Sequence, residues 1–168
     1  MNLFLLRHGL AVDRSAPGYN KKDADRPLTP KGKQRLWRVA EAMEEMELEF
    51  DIILTSPFVR ALQTAEIVAE AFELRKKLKS SEHLTPNGNP KLLLEQIAQL
   101  QPAAKDVLLV GHEPYLGQLI GLLVAGNTNA LIDLKKGALC KLEIETLKCG
   151  RCATLAWLLA PKQMSLMV

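Results

Sequence analysis

Two histidines and two arginines stand just past the ends of apolar runs. Leu3-Phe4-Leu5-Leu6 runs into Arg7-His8-Gly9, and Val107-Leu108-Leu109-Val110 runs into Gly111-His112-Glu113-Pro114. A third run, Ile52-Ile53-Leu54-Thr55, leads into Ser56-Pro57 and then Arg60. An arginine keeps its charge at any working pH, and its planar fork matches phosphate oxygens, so a pair of them selects an anion. A histidine set between such arginines can attack phosphorus as a nucleophile. One histidine at a strand end would ordinarily be a hydrogen-bonding cap. Two of them with two arginines favour a functional site. A metal does not suit the set, because Arg7 and Arg60 would repel a cation and Glu113 is its one adjoining carboxylate. A serine triad lacks its nucleophile elbow, and there is no glycine-rich lysine loop for a nucleotide.

The elements that must position these residues follow from the apolar pattern. Continuous apolar runs of this length are strands buried on both faces. In an open α/β sheet the strand carboxyl ends share a crevice, so neighbouring first and fourth runs would bring His8 and His112 together, with Arg60 beside them. A long loop, Leu10 to Thr29, follows Gly9 and is rich in turn residues, as functional loops often are. Thr29 is a good N-cap with Pro30 at the first helical position, which predicts a helix to about Met46 with Leu36, Val39, Met43 and Met46 inward. Its charges are inverted against the helix dipole: Lys31, Lys33, Arg35 and Arg38 come early, and Glu41, Glu44, Glu45 and Glu47 late. A solvated face with a small electrostatic cost is the expectation; a basic end turned toward a phosphate pocket is the alternative.

Ser56-Pro57 should open a second helix to about Phe72, with a buried stripe of Phe58, Leu62, Ala65, Ala69 and Phe72 and with Arg60 off that stripe in the first turn. There Arg60 and the free backbone N–H groups would together favour an anion. Arg75 to Lys79 reads as basic surface loop, and Glu82 to Gly88 as turn. Helices are expected from Pro90 to about Leu100 and from Pro114 to about Ala125. Ala138 to Ile144 alternates like a half-exposed strand near an edge, and Ala153 to Ala160 is a last apolar strand. The expected fold is a three-layer α/β/α sandwich around a mostly parallel, mixed sheet, forming a single domain over residues 1–168.

Composition narrows the function. The chain has 168 residues, 48% apolar, with a net charge of +3 and 5% aromatics. That balance lacks the dense basic face with stacking aromatics of a nucleic-acid binder. No apolar run reaches membrane-spanning length, and no signal-type segment opens the chain, so a cytoplasmic location is expected. Cys149 and Cys152 form a lone C-x-x-C with Cys140 nearby. Incidental thiols in a reducing compartment are favoured over half of a zinc site, which has no second ligand pair.

The ordered motifs carry a resemblance. Arg7-His8-Gly9, Ser56-Pro57-x-x-Arg60-Ala61-x-Gln63-Thr64-Ala65 and Gly111-His112 resemble the histidine phosphatase superfamily, with its phosphoglycerate-mutase-like fold. Arg26-Pro27-Leu28-Thr29 with Gly32, Leu84-Thr85-Pro86 and the compact length resemble its short bacterial branch, the SixA-type phosphohistidine phosphatases. The resemblance implies that His8 is the nucleophile and becomes transiently phosphorylated. It implies that Arg7 and Arg60 hold phosphoryl oxygens and that His112 hydrogen-bonds the transferring group. Arg26, Gly9 and Glu113 are further candidates for substrate binding. No metal and no cofactor are implied. The general acid is open: Glu82, His83 or neither. A phosphohistidine needs less help from an acid than an alkyl ester does, because its leaving group is an imidazole nitrogen. The expected partner is a phosphorylated protein with a phosphohistidine domain. The alternatives are a small phosphorylated metabolite, with Glu82 or His83 as acid, or a non-catalytic phosphate-binding module.

Overall fold

The computed structural model describes residues 1–100 and 102–168. Six strands form one sheet: β1 (Asn2–Arg7), β2 (Ile52–Thr55), β3 (Leu78–Ser80), β4 (Asp106–Gly111), β5 (Leu139–Ile144) and β6 (Ala153–Leu159), in the order β3-β2-β4-β1-β5-β6. β3, β2, β4 and β1 run parallel, whereas β5 is antiparallel to β1 and β6 to β5. Register sets Arg7 opposite Gly111 and Thr55 opposite Val110. The three strand ends that carry Arg7, His112 and the approach to Arg60 are therefore consecutive in the sheet.

Strand alternation divides the core into two layers. Leu3, Leu5, Ile52, Leu54, Val107 and Leu109 face one side, where helices α3 (Pro90–Ala98) and α4 (Tyr115–Ala125) cover them. Phe4, Leu6, Ile53, Leu108 and Val110 face the other, under α1 (Pro30–Glu45), α2 (Val59–Ala71) and the short α5 (Pro161–Met164). This is the expected α/β/α sandwich. The Thr29 Oγ1 accepts from the Gly32 N–H at 3.0 Å and caps α1, with Pro30 in the first turn. Asn89 caps α3 in the same way, accepting from the Lys91 and Leu92 N–H groups.

Three local expectations change. Arg75 to Lys79 is not all loop: a 3-10 turn at Arg75–Lys77 leads into β3, a three-residue edge strand. A strand so short, with one apolar residue and a lysine, shows no period, and lysine is a common way to blunt a sheet edge. On α2 the buried face runs through Arg60, Ala61, Thr64, Ala65 and Val68, while Phe58, Leu62 and Phe72 are half-buried. Arg60 thus lies on the buried face, not off it. The large apolar residues suggested a stripe, but small residues are what let α2 approach the sheet. Finally, the strand expected to be half-exposed near an edge is β5, which is mostly buried one place inside the edge, and the last apolar strand, β6, forms the edge with its middle residues exposed.

Gly9 has a packing reason. A Cβ there would stand 2.6 Å from Leu36 Cδ1 and 2.9 Å from its Cγ, so α1 lies directly on the chain behind His8. The G9A variant should lose about 1–3 kcal/mol of stability from overpacking. Truncating Leu36 relieves that clash, so the G9A/L36A double variant should cost less than the sum of the two single changes in denaturant unfolding. Additive costs would show that the two residues do not meet.

Candidate active site

His8 follows β1 directly and is 6% exposed. Its Nδ1 lies 2.7 Å from the Gly9 carbonyl oxygen, which can only accept, so the proton sits on Nδ1. The Arg60 Nε–H donates to His8 Nε2 at 3.2 Å. Both bonds assign one tautomer, with the Nε2 lone pair available to an electrophile. Burial pushes the His8 pKa down to about 3; the bond to Gly9 opposes this, and the charges of His112, Arg60 and Arg7 add to it. A neutral imidazole is the form a nucleophile needs.

His112 follows β4 and faces His8 with ring centroids 5.1 Å apart. Its Nε2 is 2.8 Å from Ser56 Oγ, which also accepts from the Phe58 N–H at 3.3 Å. We assign the Ser56 hydroxyl as donor to Nε2. The His112 proton is then on Nδ1, a buried atom with no partner in the protein. Burial also takes the His112 pKa down to about 3, with Arg60 the next cause. Phe58 packs edge-on against His112, and the Arg60 guanidinium stacks over the same ring at 5.2 Å. Thr64 accepts from the Gly9 N–H and donates to the Arg60 carbonyl, tying the turn behind His8 to α2. Ser56, Phe58 and Thr64 thus position the cluster. The sequence showed them inside a motif but gave no sign of these bonds.

The two arginines are held differently. Arg60 is 3% exposed. Its Nη1 donates to the Asp23 carbonyl at 2.7 Å and its Nη2 to the Asp23 carboxylate at 3.1 Å. Arg26 and Arg14 each reach the other oxygen of that carboxylate, at 2.7 Å. Arg26, expected at the phosphate, is therefore locked onto Asp23 and the Val12 carbonyl, and it joins the cluster through Asp23. Partial desolvation would raise the Asp23 carboxyl, but bonds from Arg14 and Arg26 and the charge of Arg60 outweigh it and hold it well below the usual range. Asp23 lies in the long loop, on a 3-10 turn, and nothing in its sequence neighbourhood announces this contact.

Arg7 is held mainly by backbone. Its Nη1 donates to the Leu134 carbonyl at 2.6 Å, Asp133 is 4.0 Å away, and its Nε is buried without a partner. Glu113, expected to touch substrate, is half-buried: burial raises its carboxyl, the neighbouring Leu134 and Gly117 backbone and the charge of Arg7 oppose this, and its Oε1 is buried without a partner. Gly117 has to be bare, because a Cβ there would sit 2.3 Å from the Ile132 carbonyl oxygen and 3.0 Å from Glu113 Oε2.

Glu82 and His83 form a 3-10 turn with Leu84; Glu82 is exposed and His83 half-buried. They line a cleft with Leu92, Glu95, Gln96 and Gln99 that includes none of His8, Arg60 and His112. Among the described residues, no hydrogen bond joins either side chain to that cluster. No group of three or more His, Cys, Asp and Glu among the described residues could hold a metal ion. Cys140 lies in the core, where burial pushes its thiol up to about 12, so it is no nucleophile. Among the described residues, no helix is long and apolar enough to cross a membrane.

A neutral buried histidine between guanidinium groups, at the carboxyl ends of adjacent parallel strands, defines a phosphoryl-transfer site of the histidine phosphatase kind. Comparison with known proteins agrees: residues 3–85 match the histidine phosphatase superfamily (branch 1). An uncharacterised protein of Picosynechococcus sp. is 40% identical over 141 residues, covering 83% of this chain and 82% of its own. Phosphohistidine phosphatase SixA of Escherichia coli is 32% identical over 129 residues, covering 76% of this chain and 77% of its own. A structure of the protein histidine phosphatase SixA complexed with tungstate superposes with a TM-score of 0.79 at 27% identity, over 96% of this chain and 98% of that one. The chain belongs to the histidine phosphatase superfamily. Within it, the chain is a SixA-like phosphatase.

Two outcomes follow from the charges. His8 and His112 have folded pKa values lowered from 6.5 to about 3. Below pH 6.5 the unfolded chain therefore takes up protons that the folded chain refuses, and stability falls as pH falls. Each histidine contributes a slope of up to about 1.4 kcal/mol per pH unit. Urea unfolding at pH 7 and pH 5 should show the loss, and His112→Gln should remove about half of it. A flat profile would mean that the histidines are solvated. Separately, Asp23→Asn removes an anion that competes for the Arg60 fork. It should tighten competitive inhibition by inorganic phosphate roughly 3- to 10-fold, the scale of one partly solvated ion pair. Weaker inhibition would show instead that Asp23 holds Arg60 in place for substrate.

Proposed function

We propose that this chain hydrolyses phosphohistidine in a partner protein through a covalent phosphohistidine on His8. The observation that carries the reading is the His8 tautomer. Gly9 holds the proton on Nδ1, and the Nε2 lone pair sits beside Arg60. The incoming phosphoryl group replaces the Arg60 Nε bond to Nε2. His8 Nε2 then bonds to phosphorus as the bond from phosphorus to the substrate imidazole breaks, and that imidazole leaves with a proton from solvent. Water attacks phospho-His8, releases inorganic phosphate and restores the neutral imidazole. Arg60, Arg7 and the Nδ1–H of His112 neutralise the equatorial oxygens, which is most of what phosphoryl transfer asks of a protein.

The substrate class rests on SixA, the relative with 32% identity, whose name gives phosphohistidine phosphatase, and on where Glu82 lies. An alkyl phosphate leaves as a strongly basic alkoxide and gains from a carboxylic acid beside it. Glu82 is exposed in another cleft, so it does not favour the small-ester reading. The free cysteines suit a reducing compartment, and we place the enzyme in the cytoplasm, acting as one domain over residues 1–168.

Brief incubation with a phosphohistidine protein followed by alkaline quench should leave an acid-labile phosphate on His8. His8→Ala should leave none and should lower turnover by roughly a thousandfold or more. Turnover of sugar phosphates without turnover of the phosphohistidine protein would overturn the substrate assignment.

A further inference from the structure

A broad cleft lies beside the catalytic cluster, on the Arg7 side, and its chemistry is one-sided. It has a volume of about 650 Å3 and is lined by Arg7, Arg35, Arg38, Lys135, Lys136 and Lys162, with Ala160, Pro161 and Ser165. These come from four separate segments: the end of β1, the outer face of α1, the stretch before β5, and α5. No acidic residue lines the cleft. Lys135 is ion-paired with Asp133, and Arg7 lies 4.0 Å from the same residue. Among the described residues, Arg35, Arg38, Lys136 and Lys162 have no carboxylate within ion-pair distance. Six positive charges thus surround one cleft in a chain whose net charge is only +3. Self-repulsion of that kind costs stability and does nothing for the fold.

We propose that this cleft docks an acidic segment of the phosphoprotein substrate, next to the phosphorylated residue. The inference rests on the function proposed above and specifies the partner. Arg7 belongs to both sites, so an acidic segment seated here would lie immediately beside a phosphoryl group at His8. The cations favour a protein over a small polyanion. Arg35, Arg38, Lys136 and Lys162 are all exposed and carried on long flexible stems. A small-molecule site uses a few fixed polar groups in an enclosed pocket. A dispersed cationic rim is instead what speeds and orients encounter with an oppositely charged surface. Half-buried Pro161 and Ala160 offer an apolar floor for one side chain of the segment.

Two pair variants, R35Q/R38Q and K136Q/K162Q, and their combination test this without touching Arg7, His8, Arg60 or His112. The first probe is a fluorescent peptide rich in Glu and Asp, without phosphohistidine, read by anisotropy. The intact protein should bind it, added salt should weaken binding, and the fourfold variant should weaken it about tenfold, with each pair variant in between. The second probes are two phosphohistidine peptides, one with acidic and one with Ser/Gly flanks. The intact protein should prefer the acidic one in kcat/KM, and the fourfold variant should lose the preference while hydrolysing the neutral peptide as before. Equal binding of the acidic peptide by intact and fourfold-variant protein would overturn the proposal. So would tighter binding of inorganic tripolyphosphate than of the peptide, which would mark a small-molecule site. If the acidic peptide binds as expected and neither phosphohistidine peptide is hydrolysed, the docking site stands and the substrate assignment fails.

Discussion

A neutral imidazole has to be kept among guanidinium groups, and the rest of the site depends on how that is done. Burial discourages a second proton on His8, and positive neighbours discourage it further. Neither fixes which nitrogen keeps the single proton. The Gly9 carbonyl does so, from the very next residue. The chain leaving β1 passes directly under α1, and Gly9 has to be bare because Leu36 of α1 packs against it. The nucleophile's tautomer, the glycine and the seating of α1 are therefore one constraint.

The sheet supplies the second condition, proximity. Phosphoryl transfer is demanding about position and undemanding about covalent chemistry. Placing β4 between β1 and β2 puts His8, His112 and the Ser56 turn at consecutive strand ends. Small residues on α2 then let its first turn come close enough for Arg60 to reach His8. Phe58 fills the wedge between Arg60 and His112, so the polar groups rest on an aromatic support that cannot compete for the anion.

What was legible in the sequence was whatever a regular period or a strand end marks. The β1 and β4 runs, the Thr29 cap, and the placing of His8 and His112 all follow from local pattern. Three features had no local pattern. β3 has one apolar residue, too few to show alternation. The buried face of α2 is marked by alanines, which carry little hydrophobic signal compared with the half-buried Phe58 and Leu62 beside them. Asp23 reaches Arg60 across 37 residues of sequence, and long-range ion pairs in loops leave no trace in spacing.

The inverted charges of α1 become intelligible once the two sides of the site are compared. On the Arg60 side a carboxylate already occupies the guanidinium, because Asp23 takes bonds from Arg14, Arg26 and Arg60. On the Arg7 side a backbone carbonyl holds Arg7 instead, and Arg35 and Arg38 of α1 add charge that no neighbouring carboxylate offsets. Lys31 and Lys33, in the first turn of α1, oppose its dipole, and Arg35 and Arg38 carry the positive charge on toward the cleft. A merely solvated face would gain from the reverse order. The two residues also lie three apart, on one face of the helix, and that face borders the cleft Arg7 shares. An anion approaching His8 from the Arg60 side must displace Asp23, whereas one approaching along α1 meets charge that is already free. The asymmetry sets a direction of approach, and it places the cost of α1's charges on the side where a substrate can use them.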